Sequence, residues 1–89
     1  MPVIELKIVN EKGLHARASA KFVECVVGFD AQAWVSKDGI RAAGDSIMGL
    51  LMLAASLGSR IEVDTQGNEA DALADALTAL VANRFGEDK

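Results

Sequence analysis

One histidine among 89 residues sets the chemical question. His15 stands in the run Gly13-Leu14-His15-Ala16-Arg17. The apolar residues alternate before this run and recur at three-and-four spacing after it, so His15 falls at or just before a helix N-terminus. Backbone N–H groups lack partners there, and together with the helix dipole they favour a bound anion. Arg17 follows on the first turn, where its planar guanidinium offers two charge-assisted bonds to a phosphate. Gly13 permits a close approach and a backbone conformation closed to other residues. Neutral imidazole is a nucleophile near neutral pH, so one ring nitrogen could carry a phosphoryl group as well as sit beside one. Phosphoryl transfer asks mainly for positioning and charge stabilisation, which a small domain can supply. The plainer reading is that His15 only closes a helix end, and spacing alone leaves both readings open.

A second position lies at Ser46. Gly44-Asp45-Ser46 opens a predicted helix that runs from Ile47 to about Leu57 and closes at Gly58. Ser46 competes with Asp45 as its N-cap. At about 100° per residue, Leu50, Leu53, Ala54 and Leu57 fall in one arc, the expected core face. Ile47, Met48, Leu51 and Met52 fall in another. A chain this short with a one-sided sheet has little protein left to cover that second arc. It reads as an exposed docking patch, and its two Met side chains suit varied partners. Lys21, on the helix that follows His15, is read as a further contact for a partner. Cys25 reads as a small packing residue rather than a reactive thiol. Trp34 reads as a single outward aromatic, and Asp64, Glu69, Asp71 and Asp75 as a solvated acidic face.

The elements that must position these residues follow from period and punctuation. Residues 3–9 alternate, with Ile4, Leu6 and Ile8 inward. Ser19, Phe22, Val23 and Val26 then mark one face of a helix from about Ala16, ended by Gly28 as a C′ glycine. Residues 31–36 alternate again, with Ala33 and Val35 inward. Asp38-Gly39 is a hairpin turn leading to a strand at Ile40–Ala43. After the Ser46 helix, Arg60–Thr65 form a fourth strand. A third helix covers about Glu69–Asn83 with Leu73, Leu77, Leu80 and Val81 on one face, and Glu69 and Asp71 suit its start. The order β-α-β-β-α-β-α, with half-polar strands, gives an α+β two-layer open-faced sandwich: an antiparallel sheet with three helices on one face, in a single domain over residues 1–89.

Composition removes several function classes. The formal net charge is −4. Residues 1–44 carry +1 and residues 45–89 carry −5, with the basic excess between Lys12 and Lys21. That balance argues against nucleic acid or an anionic membrane as the main partner. One Cys and one His leave no two-ligand Cys/His metal site and no disulfide framework. No apolar run reaches the roughly 18 residues of a membrane span, and no secretory h-region precedes the first strand. The expectation is a soluble, cytoplasmic, monomeric protein with no metal and no cofactor.

The run Gly13-Leu14-His15-Ala16-Arg17 resembles the active-site signature of HPr, the histidine phosphocarrier of the bacterial phosphoenolpyruvate-dependent phosphotransferase system, or of its nitrogen-type relative NPr. Asp45-Ser46-Ile47-Met48-Gly49-Leu50 is similar to the regulatory serine segment of that family. Length, element order and the separation of the two motifs also match. The resemblance implies the sheet order 1-4-2-3. It implies that His15 accepts a phosphoryl group from enzyme I, charged by phosphoenolpyruvate, and passes it to an EIIA-type protein. Arg17 would steady the group, and an HPr kinase/phosphorylase would act on Ser46. It implies a stoichiometric carrier rather than a free-standing enzyme. One residue departs from the pattern: Ala18 stands where many relatives have Pro. Two other functions compete. A regulator of the same fold without phosphotransfer would have no need of His15 with Arg17, and a nucleic-acid module would need a basic, aromatic sheet face.

Overall fold

The computed structural model describes residues 3–89. Its elements run β1 (Val3–Lys7), α1 (Ala16–Val27), β2 (Gln32–Lys37), β3 (Ile40–Ala43), α2 (Ile47–Met52), β4 (Arg60–Gln66) and α3 (Ala70–Ala82), then a short 3-10 turn at Arg84–Gly86. Among the described residues the four strands form one sheet in the order β1-β4-β2-β3, each neighbouring pair antiparallel. Both the element order and the strand order are those expected.

Strand alternation explains how the sheet acquires one dry face. In register across all four strands lie Ile4, Val63, Val35 and Ala42, and Leu6 sits opposite Ile61. These side chains share one core with Ala18, Phe22 and Val26 of α1 and Leu73, Leu77 and Val81 of α3. The opposite face is polar, with Glu5, Glu62, Ser36 and Arg41 in one row. Trp34 on that face is half-buried. The Arg41 guanidinium lies 5.1 Å from its ring centroid and 3.8 Å from the Asp64 carboxylate. A cation over the ring and a carboxylate beyond it account for this aromatic without a second interface. The β2–β3 turn has Asp38 and Gly39 at φ 50° and 83°, as a two-residue hairpin with both central residues left-handed requires.

Three expectations need correction. First, α2 stops at Met52 instead of running to Leu57. Ala54 turns left-handed (φ 52°), and the segment beyond uses its backbone to tie two other loops. Leu14 N–H donates to the Ala55 carbonyl at 2.8 Å, Gly58 N–H donates to the Ile8 carbonyl, and Ile8 N–H to that of Ser59. Those cross-links take up groups that a longer helix would have used internally. Second, Leu57 and Ala54 are exposed, so this region gives the core Leu50, Leu53 and Ala55 instead. Third, Gly28 ends α1 with right-handed geometry (φ −78°), not as a left-handed C′ residue. No described helix is long and apolar enough to cross a membrane.

Candidate functional site

His15 is the N-cap residue of α1, in extended conformation (φ −77°, ψ −176°). Its carbonyl accepts the first helical bond, from Ser19 N–H at 2.8 Å. Its imidazole makes no capping bond. The first-turn amides of α1 are therefore left without an acceptor on the helix itself, and the ring is free for other work. Ser19 is fully buried and donates from Oγ to the Leu14 carbonyl at 3.1 Å, which locks the backbone just before His15. Ala18, where the resembled motif often has a Pro ring, is fully buried against the core. The helix begins at Ala16 without the ring, as helix propensity allows.

Gly13 shows why that loop needs its residue type. It has φ 66°, and a Cβ there would lie 2.4 Å from the Ala55 carbonyl oxygen. The His15 loop is thus pressed directly onto the chain leaving α2. As a result His15, Leu14 and Lys12 line one shallow depression, about 290 Å³, with Leu51, Ala54, Ala55 and Ser56. The single histidine and the second apolar arc share a wall.

Arg17 is exposed and makes no ion pair with any described residue. It lines an open cavity of about 450 Å³ with Lys12, Lys21 and the last four residues. Lys21 donates from Nζ to the Phe85 carbonyl at 2.8 Å, so its ammonium already holds the end of the chain. Ser46 is the N-cap of α2: Gly49 N–H donates to its Oγ at 3.0 Å, while Asp45 stays exposed. Beyond it, Ile47, Met48 and Met52 are exposed (40%, 70% and 72%) and Leu51 is half-buried. Leu57, beyond the end of α2, is exposed as well. Among the described residues no three His, Cys, Asp or Glu side chains are placed to hold a metal ion. Burial pushes the Cys25 thiol pKa up, which keeps it protonated and unreactive near neutral pH.

The residues that sequence reasoning did not single out are Glu87 and Asn10. The Glu87 carboxylate meets Nε2 of His15 through one oxygen and accepts from Asn10 Nδ2 at 3.0 Å through the other. Asn10 is fully buried, and the same Nδ2 reaches the Gly13 carbonyl at 2.8 Å. The hydrogen bond from Asn10 and the neighbouring His15 and Lys12 hold the Glu87 carboxyl below the usual carboxylate range, against a desolvation that pushes it up. No local pattern links residue 87 to residue 15. Only a charged side chain close behind the last helix hinted that the tail could reach back.

A family model described as the phosphorylation site of the HPr component of the PTS matches residues 3–83. The chain belongs to the HPr family. The phosphocarrier protein HPr of Cupriavidus necator is 48% identical over 80 residues, covering 90% of each chain. That of Neisseria meningitidis serogroup B is 49% identical over 83 residues, covering 92% of each. A crystal structure of HPr-C-His from Thermoanaerobacter tengcongensis superposes with a TM-score of 0.94 at 35% identity, over 100% of both chains. Membership of the HPr family agrees with the sheet order and with the two motifs at His15 and Ser46. Glu87 lies beyond the residues that the HPr model matches.

Proposed function

We propose that this protein is a histidine phosphocarrier of a phosphotransferase system, acting stoichiometrically in the cytoplasm as a monomer without metal or cofactor. His15 takes a phosphoryl group from phosphoenolpyruvate-charged enzyme I and gives it to an EIIA-type protein. The observation that carries this reading is the imidazole at the N-cap of α1, unused for capping, with first-turn amides and an Arg17 side chain that have no partner among the described residues. Membership of the HPr family supports it. The α2 surface of Ile47, Met48, Leu51 and Met52 is the docking patch for both partners, and Lys21 is a further partner contact. Ser46 is the regulatory position, open to an HPr kinase/phosphorylase. A regulator without phosphotransfer is the weaker reading, because it leaves the His15–Arg17 pair without a task.

The test is incubation with phosphoenolpyruvate and enzyme I. One acid-labile phosphate, as a phosphoramidate is, should appear on the wild type and be absent from His15→Ala. Arg17→Ala should slow transfer while leaving the melting curve within about 0.5 kcal/mol of the wild type, because the side chain is exposed and unpaired. Label that survives acid or persists without His15 overturns the assignment.

A further inference from the structure

Sulfur is unevenly placed in this molecule. The described residues hold two methionines, and both lie in α2. Met48 and Met52 are exposed, at 70% and 72%. Four residues apart on a helix, they stand side by side on one face. The core is built without sulfur: its buried apolar side chains are Leu, Ile, Val, Ala and Phe. Thioethers therefore occur only on the surface read above as the docking patch. Leu51, in the same turn of helix, lines the depression that holds His15.

Hydrogen peroxide makes a thioether polar. A sulfur lone pair attacks one peroxide oxygen, the O–O bond breaks, and the products are a sulfoxide and water. The sulfur is oxidised by two electrons and the peroxide is reduced by two. The other oxidisable side chains are shielded. Cys25 is half-buried, and burial keeps its thiol protonated, whereas the thiolate is the form that reacts. Trp34 is half-buried with the Arg41 guanidinium over its ring. The remaining large apolar side chains exposed among the described residues are Val, Ile and Leu, which peroxide leaves unchanged.

We propose that Met48 and Met52 form a peroxide-sensitive modification site, whose oxidation to sulfoxide closes the α2 surface to its partners and leaves the fold intact. This inference rests on the docking reading of α2 and adds a means of controlling it. In the free protein the sulfoxide oxygens meet water, so the domain loses little. In a complex the same oxygens must give up that water, and a polar group buried without a partner is penalised. Oxidation thus acts on binding rather than on stability. The change is reversible: a thiol-dependent methionine sulfoxide reductase removes the oxygen as water while two thiols become a disulfide.

The experiment treats the full chain with hydrogen peroxide, removes the oxidant, and locates the added oxygen by peptide mass spectrometry. Met48 and Met52 should be converted while Cys25 and Trp34 stay unmodified. The melting curve should hold, and affinity for enzyme I by titration calorimetry should fall by about tenfold, as expected for an unpaired polar group at an interface. Sulfoxide reductase with dithiothreitol should restore it. In the double variant Met48→Leu, Met52→Leu, peroxide should leave that variant's own affinity where it started. Unchanged wild-type affinity with both sulfurs oxidised overturns the proposal. So does a loss that persists in the leucine variant, earlier oxidation of Cys25 or Trp34, or a drop in Tm large enough to explain the loss. Failure of the docking reading shows differently, since Met48→Asp would then bind enzyme I like the untreated wild type. A surface that Met48→Asp disables and oxidation does not is the failure of this proposal alone.

Discussion

Gly13 holds the reactive loop against the chain that leaves α2 through two independent constraints. Its backbone is left-handed, and a Cβ would meet the Ala55 carbonyl oxygen at 2.4 Å. That oxygen already accepts from Leu14 N–H, the amide next to His15. Gly13→Ala should therefore do two things. Adding strain to a backbone clash that cannot relax should cost at least about 2 kcal/mol, seen as a Tm lower by roughly 10 °C in a domain of this size. The displaced loop should also slow phosphate uptake by more than the stability loss explains. A variant that melts like the wild type would mean that the loop yields freely. The need for glycine here was legible from the motif. The surface it presses on was not, because Ala55 belongs to a segment that reads as helix by its apolar period and is not one.

At the scale of elements, α2 is where period and structure part. The spacing of Leu50, Leu53, Ala54 and Leu57 fits a helix of eleven residues, and the molecule builds six. Periodicity measures which side chains lie on one face, and it is silent on backbone groups claimed by distant loops such as those at Ile8 and Leu14. The outer arc was readable all the same. Ile47, Met48 and Met52 are exposed because a one-sided sheet leaves nothing to lay over them. Ser46 caps this short helix at the edge of that surface. Asp caps a helix as well as Ser does, so Ser46→Asp should keep the melting temperature. It should still weaken binding to enzyme I, because it puts charge where a partner must bury its own surface. Met48→Asp should weaken binding by removing apolar contact, again with little change in the free protein, since the side chain is 70% exposed. Titration calorimetry with enzyme I, beside thermal melts, compares the two. Wild-type affinity in both would show that partners dock elsewhere.

At the scale of the molecule, the loop after β1 and the last residues of the chain meet at the site. The sheet order puts β1 at one edge, the loop after it carries Asn10 to His15, and the tail after α3 returns across both. Strand alternation, turn residues and helix periods made the sandwich legible, because each is a local pattern. The closure of the site was not legible, since its partners His15 and Glu87 are 72 positions apart. The closure has a measurable consequence in acid. The Glu87 carboxyl sits below its ordinary value of 4.5 because Asn10 donates to its ionised form, with His15 and Lys12 adding favourable charge. A depressed carboxylate pKa means that the contact stabilises the docked tail above the unfolded value, and that this contribution disappears as pH falls through the lower, folded value. From neutral pH down to about 4.5 the tail should therefore stay docked, with unchanged amide resonances for Glu87 and Lys89. Below that, those resonances should move together as the Glu87 side-chain carboxyl titrates, with its midpoint under 4.5. In Glu87→Gln no such transition should accompany the acid range, because there is no charge to lose. A Glu87 midpoint at or above 4.5 in the wild type would mean that the carboxylate spends its time in water rather than on Asn10 and His15.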